Sequence, residues 1–432
     1  MILRSLVYLN QLRRNLRVEP SKLRELQLKK LKYVIRNAYE NVSFYHRKMD
    51  GAGVKPGDIQ SLEDLKKIPC TTKSEVQKCS TEDVVARNVD VTKCIRKTTS
   101  GSTGMPLTIV ADRASVDFEE ALVARALLEN GLSYTDKMLV VSDPRSFPKG
   151  RNWIQHFGIS RRKYVSIFES EETQLETLKK YEPDAVKGYL SSIALLADAC
   201  RRGNVSVRLR LVFTSAELLD SESRRLMELA FGTRPIDSYA CYEFGLLAWE
   251  CQEHSGYHMN VDSTVMEFLD GDEPVSYGES GEIVCTRLFN DSMPLIRYRL
   301  GDVGIPAEEH CSCGVTFPSM KIVEGRSDDF VRTVGGVMIS PMVFFPFPFE
   351  IEDFDRIVQF RVVQEKMDHM IIQMVLRGQL LEESEVLSRA ERRMKELFGK
   401  EVCVEFEFVN ELEKEPSGKL RKVVSHVTST GK

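Results

Sequence analysis

The stretch Thr98-Thr99-Ser100-Gly101-Ser102-Thr103-Gly104-Met105-Pro106 is a run of hydroxyl-bearing residues and glycines that ends at a proline. The apolar residues 107–110 follow it directly and predict a strand. Glycines let the backbone approach a ligand closely, and successive amides and hydroxyls can surround an anion such as phosphate. The stretch is not a Walker A loop, because that motif has a lysine and this stretch has none. By itself, a Ser/Thr/Gly run is more typical of a flexible surface loop.

Length and composition indicate a globular protein with more than one domain. The chain has 432 residues, which exceeds the usual size of a single hydrophobic core. A formal net charge of -4 gives no general attraction to nucleic acid or acidic membranes, so neither is expected as a partner. We see no secretory signal and no apolar run of roughly 18 residues, and we expect a cytoplasmic protein whose cysteines are mostly free thiols.

The first fifty residues have apolar side chains at helical spacing. Residues 1–18 carry arginines and no acid, which allows two interpretations: a basic amphipathic membrane anchor, or a helix packed on its own domain with the arginines in solvent. We favour the packed helix and do not expect membrane contact. Further on, residues 71–75 contain the Thr/Ser-x-x-Glu pattern of a helix capping box.

Short apolar strands alternate with helices in the middle of the chain. The predicted strands are 137–142, 184–189 and 209–215, and the predicted helices are 114–130, 170–181, 191–201 and 220–230. This alternation predicts an α/β fold with parallel βαβ layers. Ligands of such sheets bind at the carboxyl ends of the strands, where Ser191-Ser192 and Ser215-Ala216-Glu217 fall.

The pattern changes after residue 260. Predicted strands at 265–269, 281–286 and 295–299 are separated by Gly, Asp and Pro turns, which is typical of a smaller antiparallel sheet or barrel. Beyond residue 326, predicted strands at 357–363, 369–376 and 402–408 and a helix at 382–398 form a compact α+β unit. We therefore predict two domains, residues 1–325 and residues 326–432.

Four further stretches combine glycines with charged and aromatic residues. They are Tyr239-Ala240-Cys241-Tyr242-Glu243-Phe244-Gly245, Arg297-Tyr298-Arg299-Leu300-Gly301-Asp302-Val303-Gly304, Gly325-Arg326-Ser327-Asp328-Asp329 and Pro416-Ser417-Gly418-Lys419-Leu420-Arg421. Singly, each has an ordinary explanation: Gly301-Asp302 could form a turn, and Arg326 with Asp328 a surface pair that contributes little in water. Taken together with residues 98–106, the order and spacing of these four stretches are more specific than any single stretch.

These motifs resemble the adenylate-forming superfamily of acyl-CoA synthetases and ligases, in particular the phenylacetate–CoA ligase branch and its capsular-polysaccharide-biosynthesis relatives. The resemblance extends from Thr71 to Arg421. It implies a large N-terminal adenylate-forming domain and a smaller, mobile α+β C-terminal domain. It also implies an AMP-forming carboxylate ligase that joins an acid to the α-phosphate of ATP, expels pyrophosphate and passes the acyl group to coenzyme A.

The resemblance further implies which residues bind the nucleotide. The β- and γ-phosphates would be held by Thr99, Ser100, Gly101, Ser102, Thr103 and Gly104. The remaining nucleotide contacts would come from Ser215, Ala216 and Glu217 along the adenine, Asp302 on the ribose, Arg326 on ribose and phosphate, and Tyr239 and Tyr242. Glu243 would coordinate Mg²⁺, which prefers carboxylate and phosphate oxygens.

Lys419 is the implied catalytic residue together with Glu243. Its ammonium would bridge the carboxylate of the acid and the α-phosphate, where negative charge builds up as the two anions meet. In the family, the small domain then rotates about a hinge aspartate, here Asp328, to form the thioester, and such movements commonly gate turnover.

Two residues depart from the family pattern. Met105 stands where many relatives have lysine, and Tyr242 stands where threonine or serine often precedes the glutamate. One alternative keeps adenylation and transfers the adenylyl or acyl group to an amine, a hydroxyl or a cofactor. Another is a non-catalytic nucleotide-binding scaffold in polysaccharide biosynthesis. The sequence leaves open which acid is used, an aryl acid among them, and the oligomeric state, a homodimer included.

A cysteine cluster predicts a metal site. Cys251, Cys311 and Cys313 with one histidine provide four soft ligands, enough for tetrahedral Zn²⁺, although unligated thiols in a loop are the alternative. His254 and His258 both follow Cys251 closely, and His310 is adjacent to Cys311. Several members of the resembling branch carry a structural zinc with an arrangement that favours His258. Four protein ligands leave no open position, so the zinc would be structural.

Overall fold

The computed structural model describes residues 2–98, 107–148, 155, 157–308, 311–326, 331–334, 338–339, 356–378, 383–415 and 419–427. The predicted phosphate-binding residues 99–104, Met105 and Asp328 lie outside these ranges. The chain divides into two compact units, each made of two segments. The first unit is Met1–Ser133 with Ile236–Val323, and the second is Tyr134–Pro235 with Glu324–Lys432.

The described helices and strands are numbered here in chain order. The helices are α1 Ile2–Asn15, α2 Pro20–Asn41, α3 Ser43–Gly51, α4 Lys73–Gln77, α5 Thr81–Val84, α6 Arg113–Glu129, α7 Glu171–Tyr181, α8 Leu190–Arg202, α9 Ser221–Phe231 and α10 Glu383–Phe398. The strands are β1 Ile95–Thr98, β2 Thr108–Ala111, β3 Lys137–Ser142, β4 Arg161–Ser166, β5 Ala185–Tyr189, β6 Leu211–Ser215, β7 Ile236–Cys241, β8 Gly245–Glu250, β9 Tyr257–Met259, β10 Thr264–Asp270, β11 Glu273–Pro274, β12 Gly281–Arg287, β13 Tyr298–Ala307, β14 Ser319–Arg326, β15 Val331–Arg332, β16 Met338–Ile339, β17 Ile357–Lys366, β18 His369–Leu376, β19 Cys403–Phe408 and β20 Val423–Ser425.

Helix α1 packs on helix α6 of the first unit. Leu9 and Leu12 of the helix and Leu16 directly after it are buried. Arg13 of the helix and Arg17 after it reach Glu129 of α6 at 2.8 and 3.0 Å. Exposed ion pairs contribute at most about 1 kcal/mol, so the buried leucines supply most of the stabilisation. The packed-helix interpretation of this segment is confirmed. Among the described residues, no helix is long and apolar enough to cross a membrane.

Helix α4 begins at the predicted capping box. The backbone N–H of Glu75 donates to Thr72 Oγ1 at 3.2 Å, and the Thr72 N–H donates to Glu75 Oε2 at 2.7 Å. The N–H groups of Thr72 and Glu75 would otherwise be unsatisfied at the start of the helix, and both are paired in this way. The capping box is confirmed.

The strands of the first unit form an ordered series, β11-β10-β12-β13-β14-β9-β8-β7. Strands β10, β12 and β13 pair antiparallel, as predicted for the chain after residue 260. The third of these strands begins at Tyr298 instead of residue 295. Arg297 has a φ of 46°, in the left-handed region, so the extended backbone starts only after it. Strands β7 and β8 are a hairpin that the sequence analysis did not predict.

The second unit contains the predicted βαβ layers. Strands β4, β3, β5 and β6 lie side by side in that order and pair parallel. One face carries Leu139, Val141, Val186 and Val212 in a core that also holds residues of α7, α8 and α9. These helices cover that face, as parallel sheets require.

The C-terminal part of the second unit is the predicted α+β unit. Strands β19-β18-β17-β20 form a sheet whose core includes Ala390, Met394 and Phe398 of α10. The predicted fold class, a large N-terminal α/β part with a large sheet and a smaller C-terminal α+β part, is confirmed. The division at residue 325 stays a prediction.

Candidate active site

The hairpin of β7 and β8 presents Glu243 in the first unit. Cys241 pairs with Gly245, so residues 242–244 form the loop between the strands. Gly245 has a φ of 70°, and a Cβ there would lie 3.3 Å from Glu119 Cγ, so this position favours glycine. Within the described part of the chain, the Glu243 carboxylate has no hydrogen-bond or ion-pair partner. A carboxylate in this situation suits a hard cation such as Mg²⁺.

A buried arginine lies near this loop. The Arg287 guanidinium stacks over the rings of Phe289 and Phe244, at 4.8 and 5.5 Å from their centroids, and Nη2 is 3.5 Å from Glu119 Oε1. Burial lowers the pKa of Arg287, and the charges of Glu119 and Glu243 oppose that shift. Lys97 also pairs with Glu119. The charged groups of Arg287, Glu119 and Lys97 therefore lie near the loop of residues 242–244.

Tyr239 and Asp302 are joined within the first unit. The Tyr239 hydroxyl donates a hydrogen bond of 2.6 Å to Asp302 Oδ2. Burial and the nearby Asp302 charge raise the pKa of Tyr239 well above its usual value, so the phenol remains a donor at neutral pH. Asp302 follows Gly301, whose φ is 75°. The pair orients the Asp302 carboxylate in a site that is only half-buried.

The cysteine cluster is assembled in the first unit. Ligand atoms of Cys251, His258, Cys311 and Cys313 all lie within 4.8 Å of one another. Cys251 Sγ is 3.5 Å from Cys311 Sγ, and Cys313 Sγ is 3.2 Å from His258 Nε2. Three thiols and an imidazole are the donor set of a structural zinc site, so these residues fit a metal ion. His254 is not one of these four residues, and its Nδ1 lies 3.6 Å from Glu250 Oε2.

Glu217 connects two segments of the second unit. Its carboxylate accepts hydrogen bonds from the Ser191 N–H at 2.7 Å, the Ser191 hydroxyl at 2.9 Å and the Leu420 N–H at 3.0 Å. The Ser191 N–H is one of the free amides at the start of α8, so a distant carboxylate caps that helix. Burial raises the pKa of Glu217, while these hydrogen bonds and the Lys419 charge oppose the rise. Lys419 is thereby held next to the carboxyl ends of β5 and β6.

Two further ion pairs reinforce this connection. Asp220 accepts from the Ser223 N–H at 2.8 Å at the start of α9, and Lys422 pairs with its carboxylate. Arg377 of the C-terminal part pairs with Asp198 of α8. The Lys422–Asp220 pair is the more buried of the two, so salt in the solvent screens it less than the Arg377–Asp198 pair.

Ser215 is the last residue of β6, and Ala216 follows it with a φ of 77°. This left-handed backbone is rare for a residue with a side chain, and such strain is often found where a chain meets a ligand. Tyr242 is exposed in the β7–β8 loop, and Arg326 ends β14. The sequence predicts Ser191 at a strand end, but its hydrogen bonds with Glu217 have no local sequence signal.

Substitution of Glu217 by glutamine is expected to lower the rate of adenylate formation about tenfold, because a carboxylate that accepts three bonds becomes an amide with one acceptor oxygen. The KM for ATP should change little. Pyrophosphate exchange at varied ATP measures both quantities. Ser191→Ala removes only the hydroxyl donor and should have a smaller effect. An unchanged rate in Glu217→Gln would show that this carboxylate does not position Lys419.

Comparison with known proteins places the chain. Phenylacetate-coenzyme A ligase of Escherichia coli (strain K12) is 31% identical over 334 residues, which are 74% of this chain and 74% of that protein. The chain belongs to the phenylacetate–CoA ligase family. This confirms the resemblance predicted from the sequence and makes the chain an AMP-forming acid–thiol ligase of the adenylate-forming superfamily.

Further similarities cover the C-terminal part of the chain. Residues 345–426 match the family model described as CapK C-terminal domain. Protein CapK of Staphylococcus aureus is 22% identical over 425 residues, 95% of this chain and 90% of that protein. A crystal structure of 2-hydroxyisobutyryl-CoA ligase in complex with R3-HIB-AMP has a TM-score of 0.80 at 21% identity, over 95% of this chain and 91% of that chain. The chain therefore shares the fold of this 2-hydroxyisobutyryl-CoA ligase over nearly its whole length.

Proposed function

We propose that this chain activates a carboxylic acid with ATP as an acyl-adenylate and transfers the acyl group to coenzyme A, with Lys419 as the catalytic cation. One observation carries the residue assignment. Glu217 binds the backbone on both sides of the site, at Ser191 and at Leu420, and thereby holds Lys419 at the carboxyl ends of two parallel strands. Ligands of parallel α/β sheets bind at that edge.

In the first step, a carboxylate oxygen attacks the α-phosphorus of ATP while the bond to the β-phosphate oxygen breaks and pyrophosphate leaves. The two reactants are both anions, so the barrier includes their repulsion. The Lys419 ammonium would contact both and stabilise the charge in the transition state. In the second step, the thiol of coenzyme A would attack the acyl carbon, and AMP would leave.

Other residues would bind the nucleotide. We assign Asp302 to the ribose hydroxyls, with Tyr239 orienting its carboxylate, and the backbone of residues 215–217 to the adenine. Tyr242, Arg326 and residues 99–104 keep the nucleotide-binding roles proposed from the sequence. Glu243 would hold Mg²⁺, which when bound neutralises phosphate charge. Cys251, His258, Cys311 and Cys313 would hold a structural Zn²⁺.

Asp302→Ala is expected to raise the KM for ATP by about 10- to 100-fold, since a charged hydrogen-bond acceptor for the ribose is lost. Tyr239→Phe keeps the ring and removes only the orienting hydroxyl, so its effect should be a few-fold. Initial rates at varied ATP and saturating acid measure both. Equal KM values for wild type and Asp302→Ala would remove Asp302 from the ribose site.

The identity of the acid substrate can be determined with a panel of carboxylic acids. Because the matched relatives are named phenylacetate-coenzyme A ligases, aryl acids head the panel, followed by aliphatic and amino acids. ATP–pyrophosphate exchange identifies the acid, and mass analysis of products with and without coenzyme A identifies the acceptor. Products on an amine, hydroxyl or cofactor would support the alternative acceptors. ATP binding without exchange for any acid would support the non-catalytic scaffold and contradict the proposal.

A further inference from the structure

Lys187 stands on the face of the parallel sheet opposite the helix-covered core. Its neighbour in β5, Val186, lies in the core with residues of α8 and α9, and side chains alternate along a strand. Across the sheet, Lys187 is aligned with Val140 of β3 and Phe213 of β6. A strand residue of this kind is usually apolar, because strands of parallel sheets are buried on both faces.

No negative charge in the described chain balances this lysine. Its Nζ lies 5.8 Å from the centroid of the Phe213 ring, and it makes no hydrogen bond or ion pair with any described residue. Burial, with a smaller contribution from the charge of Arg162 on β4, lowers the pKa of Lys187 to about 8. Arg162 likewise has no acidic partner among the described residues. Two cations near each other without a counter-charge form a local positive potential.

The position of Lys187 is close to the ligand-binding edge. All four parallel strands end in a hydroxyl-bearing residue: Ser142, Ser166, Tyr189 and Ser215. Lys187 precedes the last residue of β5 by two positions, about 7 Å along the strand. The carboxyl edge of a parallel sheet is where ligands bind, and Glu217 holds Lys419 at the same edge.

We infer that Lys187 binds a second anionic group of the acid, so that the substrates are acids with a further carboxylate at the end away from the reacting one. This inference rests on the proposed function and deepens it. Partial desolvation of the half-buried Lys187 ammonium, beside an aromatic ring and a second cation, is costly, and an anionic substituent would supply the missing counter-charge. An uncharged substituent would offer a hydrogen bond but no counter-charge, so it would recover less of that cost.

Matched pairs of acids test the inference. Hexanoate with adipate, and benzoate with terephthalate, differ only in the distal carboxylate. In ATP–pyrophosphate exchange, we expect wild-type kcat/KM to be higher for the second acid of at least one pair. Lys187→Met keeps the length and removes the charge, and should lower kcat/KM for the diacid by about 10- to 100-fold while changing it less than about threefold for the matched monoacid.

Two controls make the outcomes distinct. Lys163→Met removes an exposed lysine from β4 and should leave both acids of a pair unchanged. Lys187→Arg keeps the charge and should retain part of the preference. Equal losses for both acids in Lys187→Met would mean that Lys187 binds the reacting carboxylate or ATP, and would overturn the inference. A wild-type preference for the monoacids would also overturn the inference, and this measurement does not depend on the folding of any variant. Absence of exchange with every acid would instead contradict the proposed function.

Discussion

Replacing Lys419 by alanine is expected to lower the rate of acyl-adenylate formation by about 10²- to 10³-fold, the usual effect of removing one group that stabilises transition-state charge. ATP should still bind, because Asp302 and the other nucleotide contacts remain. Single-turnover formation of the acyl-adenylate measures the rate, and calorimetry with ATP measures binding.

The thioester half-reaction separates chemistry from damage to the fold. Lys419→Ala given a preformed acyl-adenylate and coenzyme A should form product at nearly the wild-type rate, because the first step is bypassed. Lys400→Ala, an exposed lysine after α10, should behave as wild type in both half-reactions. Full adenylation by Lys419→Ala would exclude the role proposed for this ammonium.

Removal of the metal ligand His258 is expected to have the second large effect. The wild-type chain should contain about one zinc per molecule, and His258→Ala should lose most of it, because a closed tetrahedral site needs all four ligands. Since a metal that binds only the folded state stabilises it, the thermal midpoint should fall by roughly 10 °C. Elemental analysis and thermal unfolding measure the two quantities.

The neighbouring histidine provides the matched control. His254→Ala should keep its zinc, since His254 lies beside Glu250 outside the cluster. Cys403→Ser removes an exposed thiol of β19 and should also keep it. A wild-type protein that binds no zinc from a zinc-supplemented medium, or a His254→Ala variant that loses it, would contradict the assignment.

The C-terminal strands show where local sequence is sufficient. The prediction of 369–376 coincides with β18, and the predicted helix 382–398 differs from α10 by one residue. In this part, apolar residues recur at the period of each element, and polar turns separate the elements. Hydrophobic periodicity and turn residues are local properties, so they can be found without knowing the rest of the fold.

The hairpin of β7 and β8 shows where local sequence is insufficient. Its residues include Tyr239, Glu243 and Gly245, which the motif analysis had selected for their chemistry rather than for strand formation. Apolar and polar residues do not alternate regularly through Cys241 and Glu243, so hydrophobic periodicity does not predict a strand there. Cys241 pairs with Gly245, and the close approach of Glu119 of α6 to Gly245, which favours glycine there, is set by the tertiary structure.

The sequence by itself determined the reaction class, because the residues that point to it lie in short, ordered stretches that can be recognised locally. Only the tertiary structure decided which residues meet: Glu217 with Leu420, and His258 rather than His254 with the three cysteines. It also left Lys187 without a counter-charge among the residues that the structure describes. These relations join residues far apart in the chain or depend on which face of a sheet a side chain occupies. Strand order and register set both, and neither is a property of any local stretch.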